Sequence, residues 1–191
     1  MKRPALPIVA VVVLILVVAA LLRGGGEPSH LVVVRFDPRL ARAEAPGTST
    51  PRLDALASTG ATLAWPARSD ALQGELEGLA ARLEADEWTV LVGNVLDVAL
   101  TNAAAAKERG DPGPYFLYLN LAARDRADLG AIVGRVIDGL AAILPPAETV
   151  FVVVDPTGAA VVGHGPGVSG SSDPAGDAAS VRASIEGWAG L

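Results

Sequence analysis

The sequence predicts an α/β protein, with a mainly parallel sheet covered by helices on both faces. Three observations carry that reading. Short runs at 31–36, 89–93, 115–119 and 149–154 are apolar at almost every position, as strands buried on both faces are. Helical patterns at 69–84, 95–108 and 127–144 alternate with them, and such alternation gives a layered α/β/α sandwich. Breakers stand where elements should end, among them Asp37-Pro38, Asp111-Pro112-Gly113-Pro114 and Pro145-Pro146. A chain of 191 residues has room for one such domain and an appendage.

The appendage is N-terminal. Ala5 to Leu22 is uncharged and almost wholly aliphatic, and it follows Lys2 and Arg3. Its length is near the minimum for a bilayer-spanning helix, roughly 17 to 25 residues. Residues 1–23 therefore read as a transmembrane signal anchor, with the folded domain on the extracytoplasmic side. Arg23 on the far side weakens the charge bias that sets this orientation. A cleaved signal peptide is the alternative. Residues 24–30, opening GGGEPS, read as a linker.

Composition excludes several classes. The chain is 51% hydrophobic and its mean hydropathy of +0.41 is high for a soluble protein, part of the excess lying at the N-terminus. A net charge of -6 and a pI near 4.9 leave no basic stripe to neutralise phosphates, so nucleic acid is not an expected partner. Without cysteine there are no disulfides, no thiolate metal sites and no lipoprotein acylation.

In chain order, the first strand ends at Asp37, delivering a carboxylate to the sheet edge where open α/β folds bind ligands. A polar loop leads to a short helix with Leu53, Leu56 and Ala57 on one face, closed by Gly60. A second apolar step, Ala61 to Trp65, runs into Pro66-Ala67-Arg68. Ser69 or Asp70 can cap the next helix. There Leu72, Leu76, Leu79 and Leu83 recur at helical spacing, leaving Glu75, Glu77, Arg82 and Glu84 for solvent. Thr89 to Val92 is a strand leading into Gly93-Asn94, and Ala103 to Ala106 favours helix. Tyr115 to Leu119 is the next strand. Leu129, Ile132, Val133, Val136, Ile137, Leu140 and Ile143 then form one helical stripe before the strand Thr149 to Val154. Asp155-Pro156 reads as a turn, Gly163-His164-Gly165 as a glycine loop with a solvated His, and His30 as a linker residue with no partner. Residues 166–191 read as a mobile Gly/Ser/Asp-rich loop, then a helix from Ala178 to Ala189 packing Val181, Ile185 and Trp188 on the sheet.

Several of these pieces, VVVRFD, TPRLDALASTG (Thr50 to Gly60), AWPAR (Ala64 to Arg68) and SDALQG, resemble the sulfatases of the alkaline-phosphatase-like superfamily in order and spacing. FLYL and GRVIDGL (Gly134 to Leu140) agree further on, so the resemblance spans most of Leu31 to Gly165. The helix motif joined to xPxR is the specific part, whereas any α/β protein supplies apolar strands. The resemblance implies a reduced alkaline-phosphatase-like α/β/α sandwich, lacking the family's later strands and smaller C-terminal region. It implies a metal ligand at Asp37, a nucleophile position at Ala64, and Arg68 as the arginine that supports the nucleophile. It also implies substrate contacts at Asn120, where the family has His, and at His164, where Gly-His-Gly stands for Glu-His-Gly. In the last strand, alignment on Gly158 puts Pro156 and Thr157 at the paired metal ligands. Asp155 is displaced by one residue, which on a strand means the opposite face.

The implied catalytic set is degenerate. An alanine methyl cannot attack sulfur or phosphorus, nor be oxidised to formylglycine. Arg68 and Asp37 are then vestiges, with plain alternatives: Arg68 pairing with Asp70 or lying along the surface, and Asp37 capping a turn. Three functions stay open. The first is a membrane-anchored pseudoenzyme acting as a binding or scaffolding module, with no cofactor. The second is a residual sulfuric-ester or phosphoric-ester hydrolase with a displaced nucleophile, Ser69 or Thr62, and a divalent cation (Ca, Mg or Zn) on Asp37 and Asp155. The third is a structural membrane-assembly protein. The expected partners are the membrane and another protein. Catalysis by a metal needs several fixed ligands and an open position, which speaks against the second.

Overall fold

The computed structural model describes residues 29–37, 51–64, 70–111, 113–122, 126–154, 160–169 and 176–191. Among them the strands are β1 (His30–Asp37), β2 (Ala61–Ala64), β3 (Thr89–Gly93), β4 (Tyr115–Ala122), β5 (Thr149–Val154) and β6 (Ala160–His164). The helices are α1 (Pro51–Thr59), α2 (Asp70–Ala85), α3 (Leu96–Arg109), α4 (Arg126–Ala141) and α5 (Ala178–Ala189). Residues 1–28, which hold the expected membrane anchor, lie outside the described set. No helix among the described residues is long and apolar enough to cross a membrane.

The strands form one six-stranded sheet in the order β2-β6-β5-β1-β4-β3. β1 lies between β5 and β4 and pairs with both in parallel, and β3 continues the parallel set beyond β4. β6 runs antiparallel to both its neighbours. The expected α/β class with a mainly parallel sheet is therefore present, with one reversed strand inside it.

Helices cover both faces, and strand alternation decides which residue faces which layer. Val32, Val34 and Phe36 of β1 join Leu117, Leu119 and Val153 under α3 and α4, with Leu56 and Ala57 of α1 packed alongside. Leu31 and Val33 join Phe116, Val150 and Val152 on the other face, under the α2 leucines 72, 76, 79 and 83 and Val181 and Ile185 of α5. The leucine stripe of α2 and the small stripe of α3 (Leu96, Ala99, Ala103, Ala106) explain why these segments are helices of opposite character. Alanine lets α3 lie close to the sheet, and Gly139 lets α4 approach α3, since a Cβ there would stand 2.8 Å from Leu100 Cδ1.

Three readings change. Gly163 and His164 belong to β6 rather than to a glycine loop. Val161 and Val162 fill opposite cores, and Gly163 leaves room for the Trp188 ring of α5, whose Cζ3 would lie 2.5 Å from a Cβ at that position. His30 opens β1 instead of ending a linker: its Nδ1 accepts from the Tyr115 amide at 3.2 Å and its ring packs against Tyr115. Finally, α4 stops at Ala141, three residues before the expected 144, and the Leu144 amide still reaches the Leu140 carbonyl at 2.6 Å.

Candidate functional site

The carboxyl ends of β1, β2, β3, β4 and β5 share one edge of the sheet, where ligands of open α/β folds bind. The polar residue that organises this edge is Arg35. Alternation carries it to the α2 face of β1, after Leu31 and Val33, and it is only 4% exposed. The β1–β4 register sets Asn120 opposite it. Arg35 Nη1 donates to Asn120 Oδ1 at 3.0 Å and to Gln73 Oε1 of α2 at 3.2 Å. Gln73 Nε2 in turn donates to Glu77 Oε1 at 2.8 Å, one helical turn on. A buried guanidinium is costly unless its donors are used, and here two side-chain amides accept from Nη1.

These bonds also fix the amides. An Asn120 whose oxygen is committed to Arg35 presents its two N–H donors elsewhere. Tyr118, two residues earlier on the same strand face, is 2% exposed, and among the described residues no acceptor stands within hydrogen-bond geometry of its hydroxyl. Burial pushes its pKa up, while the nearby Arg35 charge acts in the opposite direction. A guanidinium has only donors, so proximity to Arg35 offers no acceptor for the Tyr118 hydroxyl hydrogen.

Above these residues lies a cleft of about 490 Å³ between α2 and the β3–β4 end of the sheet. Tyr118, Asn120, Asn94 and Gln73 supply its polar lining, Glu77 and Glu84 its carboxylates, and Val90 and Val92 an apolar wall. Val92 is 62% exposed, so the cleft opens along the sheet edge.

The expected site residues fall into separate groups. Asn120 is part of the Arg35 cluster, and Asp37 lies at the end of β1, two residues past Arg35. Ala64 ends β2 on the same sheet edge, but β6 and β5 stand between β2 and β1. At the usual spacing of about 4.8 Å, three strand steps place the β2 and β1 backbones roughly 14 Å apart. Leu63 packs in the α2 layer, so alternation turns Ala64, like Thr62, toward the other face. His164 pairs with Phe151 near the start of β5, at the opposite edge of the sheet, because β6 is reversed. Arg68, Ser69, Asp155, Pro156 and Thr157 lie outside the described residues. Among the described residues no three His, Cys, Asp or Glu side chains gather to hold a metal ion.

The Arg35 and Tyr118 cluster was missed at the sequence level, although one signal was there. An arginine inside VVVRF is a charge in a strand that is otherwise buried, and such a residue marks a polar site. In comparisons with known proteins, no family model matches the chain, and neither the curated proteins nor the solved structures give a significant match.

Proposed function

We propose that this chain is a membrane-anchored, sulfatase-like domain that has lost ester chemistry and works as a binding or scaffolding module outside the cytoplasm. The observation that carries the reading is at Ala64. The nucleophile position holds a methyl group, and it lies three strand steps from Asp37 on the opposite face of the sheet. Covalent ester hydrolysis needs an activated heteroatom beside the groups that stabilise the leaving oxygens. Supporting it, the cleft at this sheet edge is lined by the amides of Gln73, Asn94 and Asn120, groups of the kind that hold ligands through hydrogen bonds. The membrane anchor rests on Ala5 to Leu22, and the extracytoplasmic side on Lys2 and Arg3.

The test is hydrolysis of aryl sulfate and aryl phosphate by the purified full chain with added calcium, magnesium or zinc. The wild type and Ala64→Ser should both be inactive, since one hydroxyl on the wrong strand face restores nothing. Turnover by the wild type that disappears on Asp37→Ala would replace this reading with the residual hydrolase.

A further inference from the structure

β3 is the outermost strand on one side of the sheet, and its sequence, TVLVG, holds no charge and no proline. It pairs with β4 in unbroken register, without a bulge. Those are the devices that keep outer strands from taking up another chain, and β3 has none of them. The Thr89 amide donates to the Pro114 carbonyl on the β4 side. Backbone groups alternate between the two sides of a strand, so the N–H and C=O of Val90 and Val92 point outward. Among the described residues no strand stands beyond β3 to take them.

Exposed apolar surface gathers at the same place. Val92, Val95 and Val98 are 62%, 56% and 55% exposed, three of the four large hydrophobic side chains left exposed among the described residues. α3 lies over β3 and β4, and its Leu100 meets Gly139 of α4. With about 3.6 residues per turn, Val95 and Val98 fall on the other flank of α3, toward the free side of β3. On the opposite face α2 lies over the same two strands. Its seam with α5 holds Glu75 and Arg82, so its outer flank, with Glu77, Ala81 and Glu84, overhangs Val90 and Val92. Both glutamates are exposed, as is Glu87 just before β3. The free side of β3 is thus acidic on one face and apolar on the other.

We propose that β3 takes up, as a seventh strand, an extended segment of another protein whose residues alternate between basic and apolar. Its basic side chains meet Glu77 and Glu84 of α2, and its apolar ones cover Val95 and Val98 of α3. The outward backbone groups of Val90 and Val92 bond any extended segment, so the alternation of side chains sets the choice. The proposal deepens the binding-module reading, and rests on it in taking this chain to recognise a protein. A second copy of this chain fits less well. Antiparallel pairing along β3 would bring the two acidic α2 flanks together, in chains that each carry a net charge of -6. It would also set the starts of the two β1 strands, and the proposed anchors ahead of them, at opposite ends of the joined sheet.

The experiment is fluorescence anisotropy of a labelled synthetic peptide of about eight residues, alternating lysine and valine, titrated with the full chain in a non-ionic detergent. Binding should be saturable and weaken as salt is added. It should fall at least about tenfold when glutamate replaces lysine, or when the same residues form a lysine block and a valine block. Methylating the amide nitrogens on the side of the peptide that meets β3 should abolish it. Val92→Pro deletes an outward N–H and leaves the bonds to β4, so binding should be lost with the melting temperature little changed. Val92→Lys keeps the backbone groups and adds a cation beside them, and should weaken the lysine peptide about tenfold without disturbing the fold. Val98→Ser and Glu84→Gln should each weaken it several-fold, the second with a shallower salt dependence. No saturable binding, equal binding of the lysine and glutamate peptides, or unaltered binding by both Val92 variants would overturn the proposal. So would a dimer of the wild type that Val92→Lys dissolves, since β3 would then belong to a second copy. No arm of this experiment involves ester turnover, so its failure leaves the inert-scaffold reading standing. Hydrolysis of aryl esters would sink that reading without altering peptide binding.

Discussion

At the residue scale, Arg35 is a buried cation held by the oxygens of Gln73 and Asn120. Removing it strands two acceptors under α2. Arg35→Met should therefore cost about 3 kcal/mol, seen as a lower urea midpoint at unchanged slope. The charge itself was legible in VVVRFD. Its partner was not, because Asn120 is 85 positions away and only the β1–β4 register brings it opposite. His30 carries the pH dependence at this scale. Burial lowers its pKa below the usual 6.5, Glu148 opposes the shift and Lys107 adds to it. Its Nδ1 accepts from the Tyr115 amide, so the folded state needs the neutral ring. A depressed folded pKa means the unfolded chain binds the proton first. The stabilising contribution is then complete above about pH 6.5 and is lost as pH falls through the folded value. Urea midpoints of the wild type should fall across that window, and His30→Gln should flatten the fall. An unaltered profile in the variant would show that other groups set the dependence.

At the element scale, the helices were legible and the reversed strand was not. Leucine at every third or fourth position of α2 fixes its buried face whatever the helix packs on. β6 is five residues, AVVGH, whose short apolar run sits between residues of turn character and a Gly-His-Gly that reads as a loop. What makes it a strand is non-local: pairing with β2 and β5, and the Trp188 ring lying over Gly163. Gly163→Ala should push α5 away from the sheet and cost about 1–3 kcal/mol. Gly60→Ala should be worse, since its Cβ would run into the Gly163 carbonyl oxygen, which is backbone and cannot turn aside. Gly130→Ala is the control. Nothing lies within 4 Å of a Cβ there, so alanine should stabilise α4 by about 0.5–1 kcal/mol. The α2–α5 seam adds a charge network, in which Glu186 takes both Arg82 Nη1 and Arg182 Nε at 2.9 Å and Arg182 also reaches Glu75 at 3.4 Å. These groups are partly exposed, so Glu186→Gln should cost at most about 1 kcal/mol, and less as salt is added.

At the scale of the whole molecule, the alternation of buried strands and amphipathic helices gave the layer architecture, but not the strand order. Nothing in the local sequence of ATLA says that two strands will separate it from Asp37. That order decides whether Ala64 and Asp37 meet, and hence how the candidate site is read. Topology in the membrane is tested separately: a reporter active only in the cytosol, fused after Leu191, should be silent if Ala5 to Leu22 anchors the domain outside, and strong activity would reverse the orientation. The central claim is that this sheet edge binds through hydrogen bonds and charge rather than through a metal-assisted reaction on esters. Its most direct test is elemental analysis of the purified full chain after exposure to calcium, magnesium and zinc. The account predicts far less than stoichiometric metal, and the same trace content in Asp37→Ala. A stoichiometric divalent ion that is lost in Asp37→Ala would contradict it.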